Sequence, residues 1–344
     1  MIRLCRSVVA NGLLVLALIA ATLAVASPAA VSARPVAQNA QLSVRITDAG
    51  VEAPASVPAG LVEFNVENMT SNPLFILVAR LKAGKTIEDL KATLSLPPEQ
   101  QGGAAFALLE SSGGFGANPG SRTRAVLTLR EGLNVINIQA ETEGAQPIMH
   151  PLQVTAAGGA VGPEPAAELT ANLRDFAIEM PAEVRAGTQT WKIVNQGPQP
   201  HELIYVKILP GKTFERDVLP LILQDSPQGP PPGPSPFDVT TFGGLAPMEV
   251  GLSGWIDVSL TPGNWVALCF VTDPATNKPH DALGMATPFT VRGAGGPPAL
   301  PATGEAPIPV ALPNTGSSSL ATTWLVLASC LLVLGVALRR SRRA

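Results

Sequence analysis

Cys269, His280 and Met285 fall within one stretch of seventeen residues, CFVTDPATNKPHDALGM. A thiolate, an imidazole and a thioether are the donor types that suit copper in both oxidation states. Soft sulfur favours Cu(I), and imidazole accepts Cu(II). The chain has only three cysteines and three histidines. Cys5 lies in an apolar N-terminal stretch and Cys330 in an apolar C-terminal one, which leaves Cys269 as the single cysteine of the body between them. No disulfide can form within that body. A lone thiol facing an oxidising exterior is a liability unless it is buried or ligated. Against this stands a plain alternative, in which the cysteine is a small buried hydrophobe and the methionine fills core.

The elements that must position these residues occur twice. Pro54, Asn68 and Gly84-Lys85-Thr86 correspond to Pro181, Asn195 and Gly211-Lys212-Thr213 at an offset of 127 residues. After an insert of variable length, RAVLTLREGLNVINI (124–138) matches WIDVSLTPGNWVALC (255–269), and PLQV (151–154) matches PFTV (288–291). Such self-similarity implies one fold used twice, over 41–156 and 169–293, with a Gly/Pro/Ala linker at 157–168. Each half reads as about seven short strands and one helical insert after GKT, a β-sandwich pattern. Alternation in Trp191-Ile193 and in Trp265-Ala267-Cys269 turns one face inward. GKT is no phosphate loop, because the upstream glycine that motif needs is Ala79 in one copy and Val206 in the other.

The second half resembles the cupredoxins, the blue copper domains of the plastocyanin and azurin class. NQGPQPHEL (195–203) looks like the loop that brings the first histidine ligand. GNWVALC (263–269) looks like the strand with an aromatic four residues before the ligand cysteine. The resemblance implies two tandem cupredoxin-like Greek-key β-sandwich domains, all-β. It also implies one type 1 copper held by His201, Cys269 and His280 with Met285 as a weak axial ligand. The first half is a ligand-free relative. Leu74 stands where His201 is, Ile138 where Cys269 is and Ile148 near Met285, while His150 aligns with Thr287 as a surface or rim residue.

The chain departs from the family pattern at two points. Ten residues separate Cys269 from His280, a long spacer that predicts a more exposed and less rigid loop. Glu202 stands where many members carry an Asn that ties the two ligand loops together, so that tie is not expected here.

Both ends read as addressing signals. Arg3 and Arg6 precede an apolar run over Val8–Ala26 with small-x-small sites after it, a signal peptide placed at 1–33. Leu312-Pro313-Asn314-Thr315-Gly316, then the uncharged span Leu320–Leu338, then four arginines, resembles a cell-wall sorting signal over 312–344. That resemblance implies cutting between Thr315 and Gly316 by a sortase and attachment to the wall; a retained membrane anchor gives the same topology. A Pro/Gly/Ala-rich linker occupies 294–311. Setting aside Arg3, Arg6 and the tail arginines leaves 17 of the 23 basic residues against 26 acidic ones, a net charge of −9. An acidic exported body argues against a nucleic-acid partner.

The expected function is single-electron transfer at the cell surface, with an unknown redox partner. The alternatives are copper buffering without electron transfer, or a metal-free structural or adhesive protein. An oxidase or nitrite reductase would need a second copper centre built from several more histidines. Leu268 and Phe270 flank Cys269 and only His150 is left over, so no enzyme is expected.

Overall fold

A computed structural model describes residues 38–142, 145–157, 162–223 and 234–293. The expected signal peptide, the linker over 294–311 and the sorting signal with its apolar span lie outside the described residues. Among the described residues no helix is long and apolar enough to cross a membrane.

The first half contains β1 (Ala40–Thr47), β2 (Gly50–Glu52), β3 (Ser56–Pro58), β4 (Gly60–Asn68), β5 (Leu74–Leu81), β6 (Leu109–Ala117), β7 (Arg122–Leu129), β8 (Gly132–Ala140) and β9 (Ile148–Thr155). The second contains β10 (Leu169–Arg174), β11 (Ala177–Glu179), β12 (Glu183–Arg185), β13 (Gly187–Asn195), β14 (His201–Ile208), β15 (Phe237–Met248), β16 (Ser253–Leu260), β17 (Gly263–Leu268) and β18 (Ala286–Arg292). Each strand of the first half thus has its counterpart in the second, in the same order. The count exceeds the expected seven because short edge strands such as β2 and β3 have three residues and carry no readable alternation.

The register confirms the sequence alignment residue by residue. Ile138 pairs with Ile148 and Ile136 with His150 across β8 and β9. In the second half Ala267 pairs with Thr287 across β17 and β18, so His150 does occupy the place of Thr287. It is half-buried, and its Nε2 is buried with no hydrogen-bond partner, which places it beneath the rim rather than on the surface.

The helical inserts differ from expectation. α1 (Ile87–Thr93) starts where GKT predicts it, at a capping box in which Thr86 accepts from the Asp89 amide and the Asp89 carboxylate accepts from the Thr86 amide. A second helix, α2 (Pro98–Leu108), follows it. Its sequence hides it, because Gly102-Gly103 in mid-helix cost about 1 kcal/mol each relative to alanine. In the second half a π-helical turn (Phe214–Val218) runs into the short α3 (Leu219–Leu223).

The two halves share both sheets. One sheet has the order β11-β10-β13-β16-β7-β4-β1-β2, the other β12-β18-β17-β14-β15-β6-β5-β8-β9-β3. Each order reads the same from either end once counterparts are exchanged, so a pseudo-two-fold axis relates the halves. Equivalent strands meet at the centre of both sheets, antiparallel: β7 with β16, where Ala125 faces its own counterpart Ile256, and β6 with β15. The inner faces form one apolar core that runs through both halves and includes Leu127, Leu245 and Met248. Trp191, Ile193, Trp265, Ala267 and Cys269 are all buried in it, as their alternation predicts.

Candidate metal centre

Three chain segments converge at one end of the second half. β14 opens on His201, which pairs with Met248 of β15. β17 ends at Leu268 and delivers Cys269 immediately beyond the strand. The backbone then folds back on Cys269. Its amide donates to the Met285 carbonyl at 3.1 Å and its carbonyl accepts from the Asp281 amide at 2.8 Å. A 3-10 turn over His280–Leu283 carries the chain from one expected ligand towards the next. The Met285 amide donates to the His280 carbonyl at 2.8 Å.

The ten-residue spacer is not the exposed, loose loop that its length predicts. It is a hairpin, with Thr272 bridged to Pro279, the His280 amide on the Val271 carbonyl and the Asp273 amide on the Lys278 carbonyl. Asp273 fixes the tip by accepting from the Thr276 amide at 2.9 Å and hydroxyl at 2.6 Å. Val271, Thr272 and Asp273 are buried, and only Pro274–Lys278 project into solvent. The missed signal is the Asp-x-x-Thr spacing, which supports a local side-chain turn.

The donor atoms face one another. His201 Nδ1 lies 3.0 Å from His280 Nδ1, and Cys269 Sγ lies 3.5 Å from the latter and 3.9 Å from the former. The three residues are fully buried and their ligand atoms all fall within 4.8 Å of one another. Met285 is buried in the same cluster as Cys269. All four expected ligand residues are therefore brought to one place.

The outer edge of each imidazole is engaged. His201 Nε2 lies 2.6 Å from Asp175 Oδ1 and His280 Nε2 lies 3.3 Å from Gln199 Oε1. Both partners accept, so both Nε2 atoms carry the proton and both Nδ1 lone pairs point inward. Two lone pairs 3.0 Å apart repel each other until a cation or proton sits between them. The donor set of two imidazole nitrogens, a thiol and a nearby thioether is the one that suits copper. His201, Cys269 and His280 thus form a buried group that could hold a metal ion.

The electrostatics fit a pocket that is neutral before a metal binds. Burial pulls the His280 imidazole down to about 4, with neighbouring His201 adding to the effect and Asp175 and Asp273 opposing it. Burial also lowers His201, against the pull of Asp175. The Cys269 thiol is pushed well above its ordinary value by burial and by the Glu202 carboxyl. A bound metal would therefore displace the thiol proton, which makes affinity depend on pH.

Glu202 corrects the second expectation. Its side chain is buried and Oε1 accepts the Phe270 amide at 2.9 Å. Glu202 follows His201 and Phe270 follows Cys269, so the tie between the ligand segments is made by a carboxyl group in place of an amide. Burial, together with Asp281, pushes the Glu202 carboxyl up to about 8.

Three more residues build the site without any individual signal in the sequence. Asp175 comes from the β10–β11 turn and Gln199 from the loop before β14. Gly197 is required by close approach, because a Cβ there would meet His201 Nε2 at 2.5 Å and Asp175 Oδ1 at 2.8 Å. A fourth, Asn195, is marked by the repeat. Its side chain donates to the Gln199 and Met248 carbonyls and accepts from the Gly197 amide. Asn68 pegs the corresponding loop of the first half in the same way. In that half Leu74 and Ile138 are buried where His201 and Cys269 stand, while Ile148 is 42% exposed.

No family model matches the chain, and no curated protein matches it. Solved structures do. Auracyanin from Roseiflexus castenholzii is 24% identical, over 36% of this chain and 94% of its own, with a TM-score of 0.23. Auracyanin A, described as a blue copper protein from Chloroflexus aurantiacus, is 20% identical over 36% of this chain and 96% of its own, with a TM-score of 0.23. A blue copper oxidase from Nitrosomonas europaea is 13% identical over 74% of this chain and 85% of its own, with a TM-score of 0.20. At TM-scores this low none of these likenesses carries weight for the site, which rests on its own geometry.

Proposed function

We propose that the protein is a cell-surface type 1 copper protein that carries single electrons. The observation that carries this reading is the convergence of His201 Nδ1, His280 Nδ1 and Cys269 Sγ in a buried pocket, with both imidazole tautomers fixed from outside. Bound copper would supply a one-electron couple between Cu(II) and Cu(I). The chain would supply the rest. It holds two nitrogens and one sulfur in place, excludes water from them, and anchors their backbones to one another so that they need not move when the charge changes. Export and wall attachment rest on the terminal motifs, Leu312 to Gly316 above all, and sortase is the processing partner they imply. The redox partner is a protein of unassigned identity.

The histidine count supports a non-enzymatic role. Two of the three histidines belong to this one site, which leaves too few for a second copper centre. A second reading, copper storage without electron transfer, is favoured by the complete burial of both imidazoles, since no ligand edge is open to a partner.

The test is the visible and EPR spectrum of the purified protein after Cu(II) is added, with Cys269→Ser as control. An intense thiolate-to-copper band that the variant lacks is the expected result. A colourless protein that binds neither Cu(II) nor Cu(I) would leave the metal-free structural reading as the best one. A coloured protein that exchanges electrons slowly with small redox couples would favour storage.

A further inference from the structure

We infer that Gln199, with Asp175 and Asp273, forms an outer clasp that sets the tautomer of both histidines before any metal arrives. Gln199 is the positioning residue that joins the two. This rests on the metal-site reading above, although the clasp itself is a property of the metal-free chain.

The argument starts from what each group can donate. A carboxylate only accepts hydrogen bonds, whereas a carboxamide has one face that donates and one that accepts. Gln199 Nε2 lies 3.1 Å from Asp175 Oδ2 and 3.0 Å from Asp273 Oδ1. Both are acceptors, so the NH2 of Gln199 must face them. Its oxygen is thereby turned to His280, 3.3 Å away, and that ring must offer an N–H at Nε2. The same Asp175 uses its other oxygen, Oδ1, to hold the Nε2 proton of His201. One amide and one carboxylate thus fix both rings, and each ring presents Nδ1 to the pocket.

The clasp draws on three separate segments. Asp175 comes from the β10–β11 turn, Gln199 from the loop before β14, and Asp273 from the hairpin between two ligands. Gln199 is itself held in place, since Asn195 Nδ2 donates to its backbone carbonyl at 2.9 Å. The first half supplies an internal control. Asn72 and Thr142 occupy the places of Gln199 and Asp273, and they bridge the same two loops by a hydrogen bond of 3.0 Å. A loop-to-loop bridge is therefore common to the repeat. What the second half adds is an amide long enough to reach an imidazole, and a carboxylate on either side of it. A purely structural bridge would not care which ring nitrogen carries a proton, and this separates the two roles.

The experiment reads that proton. In metal-free protein with 15N-labelled histidine at neutral pH, two-bond proton–nitrogen correlations report the tautomer of each ring. Wild type is expected to show Nε2–H for His201 and His280. Gln199→Met, which fills similar space without a donor or acceptor, should shift His280 towards Nδ1–H and lower Cu(II) affinity about 10- to 100-fold. Asp175→Leu should release His201 in the same way, and Asp175→Asn, whose amide oxygen still accepts, should restore it. Wild-type tautomers in both Gln199→Met and Asp175→Leu would overturn the inference. Should Gln199→Met fail to fold, the Asp175 pair decides alone. A wild type with the expected tautomers that takes up no copper would defeat the copper reading and leave the clasp standing.

Discussion

Glu202 Oε1 accepts the backbone N–H of Phe270 at 2.9 Å, so the residue after one ligand holds the residue after another. The bond joins β14 to the end of β17, which are neighbours in the sheet, and it does so from a fully buried carboxyl group. Burying that group uncompensated would cost several kcal/mol, and the proton it retains at neutral pH is how the fold lowers that cost.

The proton has a measurable consequence in the metal-free protein. The unfolded chain gives it up near the ordinary 4.5 and the folded chain at about 8. Between those values the folded state holds the extra proton, so stability falls as pH rises, by up to about 1.4 kcal/mol per pH unit. Asp281, pushed up to about 7 by burial, acts in the same sense at lower pH. His280 acts oppositely, costing stability as pH falls from 6.5 towards about 4. Between pH 7 and 8 Glu202 makes the largest contribution of these three, and Asp281 adds a smaller one in the same sense. Urea denaturation across that interval should show a steeper fall in wild type than in Glu202→Gln, where only the smaller Asp281 contribution remains; a fall of equal slope in both would refute the assignment.

Met248 is the hinge between site and fold. It pairs with His201 in its own half and with Ser112 of the other, and it is fully buried. Met248→Ala should cost about 2–5 kcal/mol, as large-to-small core changes do. Because both sheets pass through this junction, hydrogen exchange should report β5 and β14 losing protection together. Two separate unfolding steps would show the halves to be independent.

Gly244 sits opposite Ile204 on the strand beside His201, at φ +144°, and a Cβ there would meet the Leu203 carbonyl oxygen at 2.1 Å. Gly244→Ala should destabilise by roughly 3 kcal/mol or more, since neither the backbone angle nor the space allows it. Gly251, at φ +78° with open space for 4 Å around the position a Cβ would take, is the comparison. Gly251→Ala should cost about 1 kcal/mol from the angle alone. Thermal melts of the two variants decide it, and equal losses would mean that the close approach is relieved by a small shift.

Gly197→Ala should separate binding from folding. The added methyl would press on His201 Nε2 and Asp175 Oδ1 but lies in a loop, outside the shared core. Cu(II) affinity should drop at least about tenfold while the melting temperature changes little. Unaltered affinity in a titration against a competing chelator would show that the ring can move aside without loss.

The sequence alone determined the candidate metal-binding residues, the repeat and their mutual register. Cys269, His280 and Met285 are close in the chain, and the local backbone bonds among them need no distant partner. The match of Ile138 to Cys269 and of His150 to Thr287 followed from aligning two copies of one pattern, and the strand pairing obeys it because side-chain alternation fixes register. Asn195 was visible for the same reason, as a residue present in both copies. Tertiary structure decided what depends on residues far apart in the chain. That Asp175 and Gln199 orient the imidazoles, and that Glu202 makes the tie expected of an amide, are contacts between groups 24 to 81 residues apart, which leave no periodic trace. The sharing of both sheets by the two halves is equally silent in sequence. A strand at a sheet edge and a strand that pairs with its own counterpart carry the same alternation, and only the packed molecule shows which edge is covered.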